Sequence, residues 1–384
     1  MNPERECILL VDDDPYISEA LSMTLERAGR TIVLCADVES AEIALARFPV
    51  THLVTDVQFS GRFRFEGLHF MERVHAHSPK CRVILITGFA TDDLRTEALR
   101  QGASAVLAKP FDTRELEDAL GTTELADADY EVIRIPSIEE ILAGADLAAA
   151  FQPIVRVTPN GVASFAYEAL TRVRGNWLAG GPVMLFDYAS RRSKLAELNV
   201  VTMKNAVAAA AALPDDPTLF LNIDPLTFGG DALVPALTSS CEHAGIALSR
   251  VVLEVTERSG FNDDVVASTV FDELRERGVR FALDDHGSAY SHLSLIDRIR
   301  PSFVKISNEF GTGFELDSTK ERIVKHTVSF ARDFGCDTIL EGIETPATAR
   351  AAIAAGIAYA QGFHFGRPRA ASHWAAVKSA LCAA

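Results

Sequence analysis

From Phe151 onward the chain repeats one pattern eight times, a short apolar run that stops at a polar residue. The runs are FQPIV, SFAYEAL, LFLNI, VVLEV, RFALD, SFVKI, DTILEG and AYAQG. From the second run on, helical stretches separate them, at 186–209, 233–244, 264–277, 291–299, 318–334 and 346–355. Eight strands alternating with helices predict a TIM-like β/α barrel, whose working groups come from the carboxyl ends of the strands. The first pair differs. Only residues 157–161, with a Pro-Asn-Gly turn, join FQPIV to the next run. That is too short for a parallel crossover, so the first strand is expected to run antiparallel to its neighbour.

At the ends of the seven parallel strands stand Glu168, Asn222, Glu254, Asp284-Asp285, Lys305, Glu341 and Gln361. Carboxylate and amide oxygens with one lysine form a hard, all-oxygen donor set suited to Mg²⁺ or Mn²⁺, large enough for two ions. Single members could be helix caps, since Asp is a good turn and cap residue. Seven in succession are poorly explained that way. The stretch FALDDHGSAYS (281–291) is the centre of the pattern, with paired carboxylates followed by a small-residue turn. His286 reads as an exposed turn histidine.

The first third alternates CILLV, TIVLC, HLVTD, RVILITG and AVLAKP with amphipathic segments. Five such units predict a doubly wound (βα)5 parallel sheet, with its site at the carboxyl ends of the strands. There stand Asp12 and Asp13, Asp56, Thr87 and Lys109. A carboxylate flanked by a metal site and a lysine can accept a phosphoryl group, because both cations neutralise charge developing on it. The organisation is therefore 1–121 as the first domain, 122–145 as a linker, and 146–384 as the barrel. Ser137 ahead of Ile138-Glu139-Glu140 reads as the cap of a short helix in that linker.

Composition narrows the function. A formal net charge of −16 over 384 residues argues against DNA binding and polybasic membrane anchoring. No apolar run reaches the roughly 20 residues of a membrane span, and the N-terminus lacks a signal-peptide pattern. Six singly scattered cysteines (Cys7, Cys35, Cys81, Cys241, Cys336, Cys382) argue against zinc sites and disulfides and fit a reducing cytoplasm. Gly229-Gly230-Asp231 is followed by Ala-Leu-Val, not the Glu-Phe of a diguanylate cyclase motif, so no cyclase is expected.

The first domain resembles the receiver of two-component response regulators. The resemblance implies Asp56 as phospho-acceptor, Asp12 and Asp13 as Mg²⁺ ligands, Thr87 and Lys109 on the phosphoryl group, and a sensor histidine kinase as partner. Val106 stands where many receivers carry a switch aromatic. The loop DVQFSGRFRFEG is long, and Arg62–Phe65 read as solvated ahead of an interaction edge.

The barrel's motifs, Glu168-Ala169-Leu170, LNIDP, LEVTE, LDDHGSAYSHL, VKIS, EGIET and AQGF, resemble the EAL family of cyclic-di-GMP phosphodiesterases. That implies hydrolysis of cyclic-di-GMP to linear pGpG by two-metal in-line attack, inhibited by Ca²⁺, in a homo-oligomer. Position by position, Glu168, Asn222, Glu254 and Asp284 hold one metal and Asp285 shares or holds the second. Lys305 orients or stabilises the attacking water and Glu341 is the base or water-positioning group. Gln361 lines the site, Gln152 and Arg172 contact substrate, and Glu257 braces the loop after Asp285. Two departures stand out. Ala289 replaces a loop glycine, and Ser307 stands in place of an aspartate. The alternative they leave is a catalytically silent receptor for cyclic-di-GMP that signals through protein contacts.

Overall fold

The computed structural model describes residues 6–377 apart from 28, 60–65, 122–129, 145, 176, 179–180, 257–264 and 287–292. It divides into two compact units, residues 1–145 with 175–192, and residues 146–174 with 193–384.

In the first unit β1 (Glu6–Val11), α1 (Pro15–Leu25), β2 (Arg30–Cys35), α2 (Val38–Arg47) and β3 (His52–Asp56) come first. Then follow α3 (Glu66–His77), β4 (Arg82–Thr87), α4 (Asp92–Arg100), β5 (Ala105–Ala108) and α5 (Thr113–Leu120). The strands pair in parallel in the order β5-β4-β3-β1-β2, the predicted doubly wound sheet. Helices cover both faces, which is why Ile8, Leu10, Ile32, Val54, Ile84 and Ile86 are all buried and the strands read as apolar runs. Local chemistry starts the helices. Asp14 accepts from the Tyr16 and Ile17 amides, and Asp37 forms a capping box with Ser40.

The stretch read as linker carries more structure than its acidic composition implies. β6 (Glu131–Arg134) adds a sixth parallel strand beside β2, with Thr31 opposite Glu131 and Leu34 opposite Arg134. The buried Ile135 that follows it anchors the strand. α6 (Ile138–Leu142) then starts at Ser137, whose hydroxyl accepts from the Glu140 amide while the Glu140 carboxylate caps the Ser137 amide.

The second unit opens with the long antiparallel pair β7 (Leu147–Thr158) and β8 (Gly161–Val173), as the short Pro-Asn-Gly turn requires. The single helix expected over 186–209 is broken in two, α7 (Pro182–Arg191) and α8 (Leu195–Ala210). Pro182 sets an earlier start, and Ser193 takes a left-handed φ of 57°, which ends the first helix. α7 belongs to the first unit, where the Tyr188 hydroxyl donates to Asp37 Oδ2 at 2.8 Å.

Next come β9 (Thr218–Ile223), α9 (Leu233–Ala244), β10 (Val251–Thr256), α10 (Val265–Glu276), β11 (Arg280–His286) and α11 (Leu293–Ile299). After them lie β12 (Phe303–Ile306), α12 (Asn308–Gly311), α13 (Ser318–Asp333), β13 (Asp337–Leu340), α14 (Pro346–Ala354), β14 (Tyr359–Gln361) and α15 (Ala371–Ala376). The strands close into an eight-stranded barrel, β10-β11-β12-β13-β14-β7-β8-β9. Only β7 runs antiparallel, against both β8 and β14. Ile154, Ala166, Phe220, Val252, Ala282, Phe303 and Ile339 form a buried apolar cluster from seven of the barrel strands, so the barrel is a packed core and not a pore. His286 is not in a turn as the sequence implied. It is the last residue of β11 and pairs with Ile306 after a register shift.

The five cysteines among the described residues are free and buried. No helix among the described residues is long and apolar enough to cross a membrane.

Candidate active site

Lys305 is the centre of the barrel site. It sits on β12, 1% exposed, and four carboxyl groups surround its ammonium. Glu341 Oε1 lies at 2.7 Å, Glu254 Oε1 at 3.0 Å, Glu168 Oε2 at 3.3 Å and Asp284 Oδ1 at 3.4 Å from Nζ. The register explains the convergence. Asn222 stands opposite Glu254 across β9 and β10, and Gln152 opposite Glu168 across β7 and β8.

Amides complete the set. Asn222 Nδ2 donates to Glu168 Oε1 at 2.9 Å, and Gln361 Nε2 donates to Glu168 Oε2 at 2.6 Å. Gln361 Nε2 also reaches Gln152 Oε1 at 3.2 Å, while Gln152 Nε2 donates to the Gly366 carbonyl. Gln152 is thus tied into the wall of the site. Arg172 is half-buried on β8, with a guanidinium hydrogen bond to the Thr171 carbonyl.

Electrostatics follow from crowding carboxyls in a dry place. Burial pushes the Glu254 carboxyl well above its ordinary range, and the neighbouring Glu168 adds to it. Burial raises Glu341 to about 7, against the pull of Lys305. Glu168 goes the other way. Burial opposes it, but Lys305 and the hydrogen bonds from Asn222 and Gln361 hold its carboxyl below the usual range. Burial alone would discharge Lys305, yet Asp284, Glu168, Glu254 and Glu341 together hold its ammonium well above the usual value.

The donor set fits a divalent cation. Four carboxyls face one ammonium, and the fully buried Glu254 shares that ammonium, 3.0 Å from its Oε1, with the other three. Anionic oxygens so placed call for more positive charge than one lysine supplies. Among the described residues no three carboxyl, imidazole or thiol groups form a ready-made cage. The ammonium stands between them. The Asp285 side chain, Glu257 and residues 287–292, Ala289 included, lie outside the described residues. Ser307 caps α12, its hydroxyl accepting from the Glu309 amide at 3.4 Å.

Tight backbone packing fixes Glu341. A Cβ on Gly311 would stand 1.7 Å from the Glu341 carbonyl oxygen, and Gly342 has φ 75° beside Asn308 and Thr312. Both positions therefore need glycine. Sequence reading missed Asn199, a buried amide on α8 that accepts the Asp224 amide at 3.1 Å, two residues beyond Asn222. Its place beside the apolar positions Leu198, Met203 and Ala206 of α8 was the only signal.

In the first unit the five predicted residues sit at the strand ends. Lys109 Nζ bridges Asp56 Oδ2 at 2.7 Å and Asp12 Oδ2 at 2.9 Å. Asp12 Oδ1 accepts the Asp14 amide and Asp56 Oδ1 the Gln58 amide, so one oxygen of each is aimed at the lysine. Thr87 is buried, its hydroxyl accepting the Phe89 amide at 3.1 Å. Burial raises the Asp12 carboxyl, though Asp14 and Lys109 oppose it. Burial works against the Lys109 ammonium, but Asp56 and Asp12 raise it above the usual value. Asp12 and Asp13 border a cavity of about 490 Å³. Val106 is buried, and residues 62–65 lie outside the described residues.

The EAL domain family model matches residues 137–368, well over half of the chain. The chain belongs to the EAL domain family. Residues 8–121 match the response regulator receiver domain, so a receiver domain precedes the EAL domain. Cyclic di-GMP phosphodiesterase RocR of Pseudomonas aeruginosa is 23% identical over 96% of this chain and 97% of its own length. Probable cyclic di-GMP phosphodiesterase PdeI of Escherichia coli is 27% identical, over 62% of this chain and 31% of PdeI. The chain spans less than a third of the first curated relatives it matches. Among solved structures, the PaMucR phosphodiesterase in its c-di-GMP complex is 26% identical with a TM-score of 0.52. That match covers 59% of this chain and 99% of the PaMucR chain.

Proposed function

We propose that this chain is a response regulator whose EAL barrel hydrolyses cyclic-di-GMP to linear pGpG, under control of phosphorylation at Asp56. The observation that carries the reading is the ring of Glu168, Glu254, Asp284 and Glu341 around the buried Lys305 at the carboxyl ends of the barrel strands. The names of RocR and PdeI, and the nucleotide in the PaMucR complex, point to the same substrate.

Glu168, Asn222, Glu254 and Asp284 would hold one Mg²⁺ or Mn²⁺, and Asp285 would share it or hold a second. Such ions lower the pKa of water and neutralise charge on the attacking and leaving oxygens. Glu341, 2.7 Å from Lys305, is placed to take a proton from the attacking water. Lys305 keeps its positive charge and steadies negative charge developing beside Glu341. Gln361 and Asn222 orient Glu168 through its two oxygens. Arg172, half-buried on β8, would contact the anionic substrate. In the net reaction water adds to phosphorus, the bond to the 3′ oxygen breaks, and that oxygen gains a proton. In the receiver, Lys109 neutralises charge on the phosphoryl group arriving at Asp56, and Asp12 and Asp13 would hold its Mg²⁺. A sensor histidine kinase would supply that group.

The test is turnover of cyclic-di-GMP by the purified chain with Mg²⁺ or Mn²⁺, with products separated by chromatography. The expected result is pGpG, lost in Glu168→Ala and suppressed by Ca²⁺. Binding without product would instead assign the chain to the silent receptors.

A further inference from the structure

We infer that Asn199 is a positioning residue for the metal-facing amide of Asn222, an assignment that rests on the divalent-cation reading of the barrel site. Asn199 lies in the second turn of α8, 2% exposed, beside the buried Leu198, Met203 and Ala206. An apolar side chain would suit that place, because a buried amide costs free energy unless each of its polar atoms is bonded. Both atoms are. Asn199 Nδ2 donates to the Leu195 carbonyl at 2.9 Å, which fixes the rotamer, and Oδ1 accepts the Asp224 amide at 3.1 Å. Thr202 Oγ1 adds a hydrogen bond to the Asn199 carbonyl at 3.1 Å.

The Asp224 amide sits where β9 has ended at Ile223, just before the 3₁₀ turn Pro225–Gly229. Its carbonyl and carboxylate are already engaged, accepting from the amides of Thr227 and Leu226. Asn199 thus pins the first peptide after the strand from the helix side. Two residues back, Asn222 points from the same strand end and donates to Glu168 Oε1. A rotation of the peptide at Asp224 would swing the Asn222 side chain off Glu168 and turn its amide oxygen away from a cation. Asn199 touches neither substrate nor the reacting atoms. It acts through Asn222. Partners of this kind behind metal ligands change metal affinity by about 10–100-fold when removed.

The experiment is calorimetric titration of Mn²⁺ alone into the full chain, carrying Asp13→Asn throughout so that the receiver does not compete. Asn199→Leu keeps the shape and removes the acceptor. Asn199→Asp keeps an oxygen for the Asp224 amide. The expected result is about tenfold weaker Mn²⁺ binding in Asn199→Leu and near-parental binding in Asn199→Asp. Should Asn199→Leu fold poorly, Asn199→Ala makes the same comparison. Thermal unfolding in EDTA, run in parallel, isolates the packing contribution. A lowered melting temperature with unchanged Mn²⁺ affinity overturns the assignment and leaves Asn199 a structural residue. If the Asp13→Asn parent takes up no Mn²⁺, or takes it up equally well with Glu168→Ala, the cation reading of the barrel fails and the assignment falls with it.

Discussion

Lys305 Nζ and Glu341 Oε1 lie 2.7 Å apart, and this pair sets the character of the barrel site. The lysine comes from the end of β12, and Glu341 follows β13 directly. Their contact brings the one ammonium of the site to the group best placed to handle a proton. Because the same ammonium also faces Glu254, Glu168 and Asp284, it acts as a stand-in for missing positive charge. It is less a salt-bridge partner than a counter-ion for the whole ring.

Removing that counter-ion should therefore destabilise the cation-free protein. Breaking a buried charge pair by deleting one partner costs about 3–5 kcal/mol. Part of that will be relieved here as the carboxyls take up protons. Lys305→Met is expected to melt well below the parent in EDTA and to regain more stability than the parent when Mn²⁺ is added. Differential scanning calorimetry with and without Mn²⁺ makes the comparison. Equal gains in the two proteins would mean that Lys305 does not substitute for a cation.

Glu341 gives the site a pH signature. Its carboxyl is raised from 4.5 to about 7, first by burial. Between those values the folded state keeps a proton that the unfolded chain has lost, so stability falls as pH rises through this window. In EDTA the parent should lose stability from pH 5 to pH 7, and Glu341→Gln, which cannot ionise, should show a shallower slope. Urea melts at half-unit pH steps would reveal it. Parallel slopes would remove Glu341 from the titration. Activity should behave differently. Glu341→Ala should abolish turnover with little loss of cyclic-di-GMP binding, since it removes a proton handler and not a main substrate contact.

Most of this site was legible in the sequence because β-strands alternating with helices force their terminal residues onto one rim. Once eight runs were counted, Glu168, Glu254 and Lys305 had to meet, and the antiparallel β7 followed from a turn too short to cross over. Less legible were features that depend on backbone conformation or partners distant in sequence. β6 hid in an acidic stretch because an edge strand needs only a few apolar side chains. The break at Ser193 depends on a left-handed residue inside a pattern that reads as one helix. Asn199 is an ordinary polar residue until the fold places the Asp224 amide opposite it.

Gly311 is a place where a single methyl group should reach the chemistry. A Cβ there would overlap the Glu341 carbonyl oxygen at 1.7 Å, so either α12 or the end of β13 must move. Overpacking of this kind costs about 1–3 kcal/mol. Gly311→Ala is expected to lower both the melting temperature and turnover, the latter because Glu341 shifts from Lys305. Gly229→Ala, where a Cβ meets nothing within 4 Å, serves as the control and should change neither. If Gly311→Ala turned over like the parent, the tight packing behind Glu341 would be irrelevant to its placement.

In the receiver, the Lys109 bridge to Asp56 and Asp12 defines what phosphorylation must displace. Asp56 Oδ2 is held by Lys109 at 2.7 Å, so a phosphoryl group joined to Asp56 takes over the lysine and frees it from the carboxylate. Asp56→Asn removes the acceptor but keeps an oxygen of similar size for the lysine. After incubation with acetyl phosphate and Mg²⁺, the parent should gain one hydroxylamine-sensitive phosphoryl group by mass, and its rate of cyclic-di-GMP hydrolysis should change. Asp56→Asn should gain none and keep a constant rate. A variant that still responded would place the switch elsewhere, whereas a parent that is phosphorylated without any change in rate would separate the receiver from control of the barrel.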